Sequence, residues 1–203
     1  MQPFETLLRD AVALHGHLCP GQVLGVRMAV AGCLALDLSE PRDAGKGFHV
    51  FVEINRCAAD AIQSVTGCSL GRRSLWHLDY GKMAATFADA HRSRAVRVAA
   101  RDDARERVAA YASDASDARQ AQIDAYRIMP DTELFTLEPV VVVPGWLDRR
   151  RGRVTCDGCG EGVNYGREIR REGLTLCRPC AGDTYYLAPA ASPVREHLAE
   201  VRR

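Results

Sequence analysis

The sequence predicts an α+β fold: a mixed helix/strand core over residues 1–145, a small four-cysteine zinc finger over 146–183 and a tail over 184–203. Three observations carry this reading. Helical and strand-like apolar patterns mix along the first 145 residues without the regular strand–helix–strand rhythm of a parallel sheet. After Pro144-Gly145, apolar periodicity gives way to Arg, Gly and Cys. Four of the eight cysteines fall in that second stretch, as two Cys-x-x-Cys pairs separated by 17 residues.

The elements follow in chain order. Phe4, Leu7, Leu8, Ala11 and Leu14 stand at helical spacing and predict a helix over 4–14. His15-Gly16-His17-Leu18-Cys19-Pro20-Gly21 interrupts it. A second helix over 20–36 is started by Pro20, and its small Gly25, Ala29, Ala31 and Gly32 allow close packing. Residues 37–47 form a polar turn, and 49–54 a strand. Asn55 is expected to cap a helix over 57–65 that closes at Gly67. Strands follow at 83–88 and 94–101, helices near 103–111 and 116–129, and a strand at 134–143. The end of the chain, 187–203, is rich in Ala and Pro and then weakly helical.

Composition narrows the functional classes. With 203 residues and 47% hydrophobic content the chain can bury a real core. A net charge of +1 excludes both bulk electrostatic attachment to nucleic acid and an acidic solvating role. The longest apolar stretch, Val23 to Leu36, is broken by Gly25, Arg27 and Gly32, so no membrane-spanning helix is expected. The amino-terminal MQPFETLLRD lacks a basic targeting region, and a cytoplasmic protein is expected. In a reducing compartment the cysteines read as metal ligands or working thiols rather than disulfides. All basic residues but Lys46 and Lys82 are Arg, so Arg clusters carry little signal and the lysines stand out.

Cys156-x-x-Cys159 and Cys177-x-x-Cys180 have the spacing of a four-thiolate zinc site. About 35 residues hold too little apolar surface to fold alone, and a tetrahedral zinc supplies what the core cannot. Gly158, Gly160 and Gly162 permit the tight knuckle backbone. Four thiolates close the coordination shell, so the zinc is structural. A buried cysteine set or a redox pair is the competing reading.

The second constellation is amino-terminal. In an extended segment the i, i+2 spacing points His15, His17 and Cys19 the same way. Cys19 precedes the Pro20 helix and Cys57 opens the next one, where amides and the helix dipole favour thiolate. Asp60, one turn after Cys57, can orient an imidazole. Two His and two Cys suit a second transition metal (Zn, Fe, Ni or Cu), with His15, His17, Cys19 and Cys57 as ligands. Cys57, His17, Cys19 and Lys82 are the candidate catalytic groups. Lys82 either positions an anionic group or thiolate, or pairs with Asp79. Cys33 reads as core. Cys68 lies in a Gly-flanked loop whose amides suit an anion nest.

His15-Gly16-His17-x-Cys19-Pro20-Gly21, Cys57-Ala58-x-Asp60-Ala61-Ile62-Gln63, Thr66-Gly67-Cys68-x-Leu70-Gly71 and Asp79-Tyr80-Gly81-Lys82, in that order, resemble the FmdE family. That family is named for a component of formylmethanofuran dehydrogenase. The paired Cys-x-x-Cys segment is similar to the treble-clef finger of the TraR/DksA kind. The resemblance implies an α+β core with an active site, an appended zinc finger and a homodimer. It carries His15, His17, Cys19 and Cys57 over as metal or reactive-thiol groups, with Asp60, Cys68 and Lys82 as neighbouring motif positions. It also implies an enzyme, or an accessory factor to a molybdenum or tungsten oxidoreductase partner. Two other readings stand beside it. One is a regulatory module touching nucleic acid or RNA polymerase, disfavoured because Glu161, Glu168 and Glu172 interleave with Arg167, Arg170, Arg171 and Arg178. The other is a purely structural role.

Overall fold

A computed structural model of the chain describes residues 1–113, 115, 117–147 and 152–187, and divides into two compact units, Met1–Leu147 and Asp148–Arg203. The linker arginines 149–151, the helix start expected at 116 and most of the tail after 187 lie outside the described residues. No helix among the described residues is long and apolar enough to cross a membrane.

In the first unit, helix α1 (Phe4–His15) buries Leu7, Leu8 and Ala11 and ends on Gly16, whose φ of 94° is the left-handed cap a glycine adopts freely. Helix α2 (Pro20–Ala35) is apolar on nearly every side because it is surrounded; its buried residues include Val23, Val26, Met28, Ala29 and Cys33. Its one charged residue, Arg27, donates to the carbonyls of Tyr126 and Met129 at 2.9 and 2.6 Å, satisfying the orphaned end of a later helix.

Strand β1 (Phe48–Val52) leads to helix α3 (Cys57–Thr66), which closes at a left-handed Gly67. The residue before its first turn is Arg56, with no side-chain cap, rather than Asn55, because the helix begins only at Cys57. Strands β2 (Leu75–His77), β3 (Ala84–Asp89) and β4 (Arg94–Ala100) follow. The helix expected near 103–111 is instead two short 3-10 turns, Asp102–Arg105 and Val108–Ala110. Only Ala104 and Val108 are buried there, too little apolar surface to hold a full helix against the core. Helix α4 (Ala118–Ile128) is capped by Asp117, which accepts from the amides of Arg119 and Gln120. A single turn, α5 (Asp131–Leu134), precedes strand β5 (Phe135–Val140).

The five strands form one sheet in the order β2-β1-β3-β4-β5, parallel only between β1 and β2. Val50 stands opposite Leu75 and Phe87, and Phe87 opposite Val96. These residues join α1, α2 and α3 in a single core. On the opposite side of β1, Phe51, Trp76 and Trp146 pack mutually at 6.1–6.2 Å.

Three glycines set how closely α2 packs. A Cβ on Gly25 would lie 2.7 Å from Ala58 Cα, Ala58 O and Ala61 Cβ, so α2 and α3 touch backbone to backbone there. One turn earlier, a Cβ on Gly21 would meet Cys57 Cβ at 2.9 Å, and farther along Gly32 lies against the Phe87 ring. This contact brings the starts of the two helices, with Cys19 and Cys57, side by side.

The second unit consists of two hairpins, β6 (Arg153–Thr155) with β7 (Gly162–Asn164) and β8 (Ile169–Arg171) with β9 (Leu174–Leu176). Strands β6 and β9 each lead into a Cys-x-x-Cys turn. Asp157 ties the hairpins: its amide donates to Thr175 O and its carboxylate accepts from the Thr175 amide.

Candidate functional site

The four finger sulfurs form one of two clusters of metal-ligating side chains among the described residues. Sγ atoms of Cys156, Cys159, Cys177 and Cys180 lie within 4.8 Å of one another. A tetrahedral zinc with Zn–S near 2.3 Å needs separations of about 3.8 Å, and Cys159 to Cys177 is 3.9 Å. The Cys177 amide donates to Cys156 Sγ at 3.2 Å and holds that thiol down at about 6. Cys180 is pushed up to about 12 by Cys177, Cys156 and Cys159 around it. Four thiolates this close repel one another, and a divalent cation at their centre removes the conflict.

In the first unit His15, His17 and Cys19 converge, with their ligand atoms also within 4.8 Å of one another. The convergence does not come from an extended segment. His15 is the last residue of α1, Gly16 turns the chain, and Cys19 is the extended residue in front of α2. Arg119 donates to Leu18 O at 2.7 Å and anchors the loop from α4. The rings of His15 and His17 are 4.6 Å apart.

His15 carries the most informative polar contacts. Its Nδ1 is 2.8 Å from Asp60 Oδ2. A carboxylate only accepts, so Nδ1 donates this hydrogen bond, and in that tautomer of the imidazole the lone pair is on Nε2. Nε2 is buried and has no hydrogen-bond partner among the described residues. A buried imidazole nitrogen, oriented by a carboxylate and aimed beside another imidazole and a thiol, is the arrangement of a metal-ligating histidine. The three groups fit a transition metal on that ground.

Cys57 stands apart from this set. It lies beside Cys19, but its sulfur is not among the atoms that all lie within 4.8 Å of one another. A position at the start of α3 is expected to favour thiolate, yet burial and then the hydrogen bond with Cys19 push the thiol up. Desolvation outweighs two or three amides at a helix end. Gln22, fully buried in the first turn of α2, donates to the Cys57 carbonyl at 2.6 Å and locks the two helix starts together.

Cys33 and Cys68 take no part. Both are buried, and burial pushes the Cys33 thiol up to about 12 and the Cys68 thiol in the same direction. Cys68 approaches Phe48 O at 3.8 Å, so its side chain packs on β1 instead of opening into an anion nest.

Two concavities meet at Cys57. One, of about 490 Å³, is bounded by His15, Asp60, Gln63 and His77. The other is a cleft of about 830 Å³ whose lining includes Cys19, Cys57, Lys82, Arg101, Arg105 and Tyr126. Lys82 does not pair with Asp79, which sits 3.9 Å from His77. Arg56 and Arg97 also line this cleft and are invisible in the sequence, where arginine is too common to signal anything. Arg97 makes a two-pronged ion pair with Glu53 at 2.7 and 2.8 Å, with Glu53 only 5% exposed. Replacing Glu53→Gln leaves Arg97 without its charge partner and is expected to cost about 2 kcal/mol, since Arg97 keeps some water contact. Urea unfolding checks this, and an unchanged midpoint would count against it.

Both units match known proteins. The family model described as "FmdE, Molybdenum formylmethanofuran dehydrogenase operon" matches residues 14–136. The prokaryotic dksA/traR C4-type zinc finger matches residues 149–186. A probable S-adenosyl-L-methionine-binding protein of Archaeoglobus fulgidus is 43% identical over 94 residues, 45% of this chain and 26% of that protein. The chain thus spans about a quarter of that curated relative. The crystal structure of an FmdE-like protein of the tungsten formylmethanofuran dehydrogenase kind, from Syntrophus aciditrophicus, aligns with a TM-score of 0.63 at 24% identity. The alignment covers 91% of this chain and 95% of that one, which shows a shared fold.

Proposed function

The chain belongs to the FmdE family, and from that premise we propose that it is a metal- and thiol-dependent enzyme or accessory factor serving a molybdenum or tungsten oxidoreductase of the formylmethanofuran or formate dehydrogenase kind. Family and finger together support a metal-binding protein. The observation that carries the finer reading is the buried, unpartnered Nε2 of His15, with its Nδ1 held by Asp60.

In this reading His15, His17 and Cys19 hold a second transition metal, and Cys156, Cys159, Cys177 and Cys180 hold structural zinc. Three protein ligands leave a coordination position open, where a bound metal supplies Lewis acidity. Asp60 keeps His15 in the ligating tautomer. Cys57, next to Cys19 and protonated at rest, serves as nucleophile or group carrier once a base takes its proton. Lys82 faces the same cleft and orients an anionic group. A homodimer, an oxidoreductase partner and a cytoplasmic setting belong to the same proposal. The ligand in the archaeal relative's name is not carried over. The sulfonium and ammonium of S-adenosyl-L-methionine outnumber its one carboxylate, a poor match to a cleft whose charged lining is five cations and one acid.

Elemental mass spectrometry of the metal-loaded protein tests the proposal. Wild type and Cys57→Ser are expected to hold a second metal beyond the finger zinc, and His15→Ala and Cys19→Ser to lose it. Asp60→Asn should retain the site with affinity lowered about 10–100-fold. Finger zinc alone in the wild type, after loading with zinc, iron, nickel and copper in turn, would refute it.

A further inference from the structure

We propose that the cleft beside Cys19 and Cys57 binds a small dianion, a dicarboxylate or a phosphate monoester, through Arg56, Lys82 and Arg105. The inference deepens the preceding reading, since it takes this cleft as the substrate side of the His/Cys site.

Charge inside the cleft is unbalanced. Five cationic side chains line it: Arg56, Lys82, Arg97, Arg101 and Arg105. Glu53 neutralises Arg97 at 2.7 Å, and Asp103 neutralises Arg101 at 3.0 Å. Arg56, Lys82 and Arg105 have no ion pair among the described residues. Glu53 and Asp103 lie behind the lining, and Asp102 is the one carboxylate among the described residues that line the cleft. Three cations against one acid leave an excess of two positive charges, which a dianion balances.

An arginine-rich chain offers a duller explanation, that cations fall everywhere. The rest of the first unit speaks against it. Arg27 pairs with Asp131, Arg94 with Asp37 and Arg127 with Glu5, while Arg107 pairs with Glu133 as well as with the Asp103 it shares with Arg101. Lys82 is moreover one of only two lysines in the chain. Arg42, Arg72 and Arg119 lack ion pairs too, but each donates to a backbone carbonyl. Among the described residues of the first unit, Arg56, Lys82 and Arg105 have neither kind of partner, and all three line the cleft.

Shape and lining agree. A volume of about 830 Å³ suits a small-molecule site. Leu24, Ile54, Met83 and Tyr126 supply apolar contact in the same lining. The ligand therefore combines a dianionic group with a less polar body. An isolated exposed cation is worth little in water, but several converging on one concave surface reinforce one another.

Calorimetric titration of the zinc-loaded full chain with succinate, glycerol 3-phosphate and acetate tests this, with metal content measured on the same samples. One dianion is expected to bind at least about tenfold tighter than acetate, and which one it is identifies the source. Lys82→Met and Arg105→Met should each weaken that binding about tenfold without changing metal content, a loss of about 1.4 kcal/mol apiece. Added salt should weaken it further. Dianion binding that depends on Lys82 in protein holding only finger zinc supports this inference while ruling out zinc as the second metal. Full metal content with no dianion binding up to about 10 mM, a free energy near 3 kcal/mol, overturns this inference alone. Equal binding by wild type and both variants also overturns it.

Discussion

Removing zinc from the finger is expected to unfold it completely. Among its described residues only Cys156 and Leu176 are buried, so there is no apolar core to survive the loss. The two hairpins are built from three-residue strands, too short to persist alone in water. A four-thiolate zinc contributes roughly 10–16 kcal/mol of apparent binding free energy to such a domain. Either a strong chelator or Cys177→Ser should therefore abolish hydrogen-exchange protection at the amides of Cys156, Gly160 and Ala181, which bond only within the knuckles and hairpins. Val98 and Phe87 amides in the first unit should stay protected, because their sheet and core contain no finger residue. Retained protection at Gly160 and Ala181 in zinc-free protein would show that the finger holds itself together by other means.

Enlarging Gly25 is expected to damage both stability and the site. In an unhindered helix Gly→Ala would gain about 1 kcal/mol of propensity. Here the added Cβ meets Ala58 backbone atoms and Ala61 Cβ at 2.7 Å, and backbone cannot swing aside as a side-chain tip can. The helices must separate, which typically costs about 1–3 kcal/mol. Gly25→Val should lie at the upper end and lower the melting temperature by roughly 2–4 °C per kcal/mol. Separation also moves the start of α2 from that of α3, breaking the Gln22–Cys57 hydrogen bond and displacing Cys19 from beside Cys57. Second-metal affinity should fall together with stability. A Gly25→Val protein that melts like wild type would mean that the α2–α3 contact is looser than its geometry indicates. The matching control is Gly71→Ala, whose Cβ would meet nothing within 4 Å.

Much of the site is legible without knowledge of any contact, and the parts that are not share a cause. The His-x-His-x-Cys run lies within five residues, so wherever the chain goes the three side chains stay near one another. Pro20 and Gly67 mark helix ends because their backbone preferences are local. Helical spacing places Asp60 on the face that holds Cys57, but its pairing with His15, 45 positions away, depends on α1 and α3 packing together. Nothing in the arginine pattern distinguishes Arg56 and Arg105, which stay unpaired in the cleft, from Arg94 and Arg107, which do not.

The fold class, the four-sulfur finger and the His/Cys cluster can all be read from residue order, because each follows from spacing over a few residues and from the geometry of helix, strand and tetrahedral zinc. Three features emerge only when the chain is packed: the Cys57 sulfur stays outside the cluster of His15, His17 and Cys19, residues 102–110 form two 3-10 turns, and Arg56, Lys82 and Arg105 have no ion pair among the described residues. Those outcomes depend on desolvation and on contacts between distant segments. The closeness of α2 to α3 at Gly21 and Gly25 sets the first of them, and no local pattern records the distance between two helices.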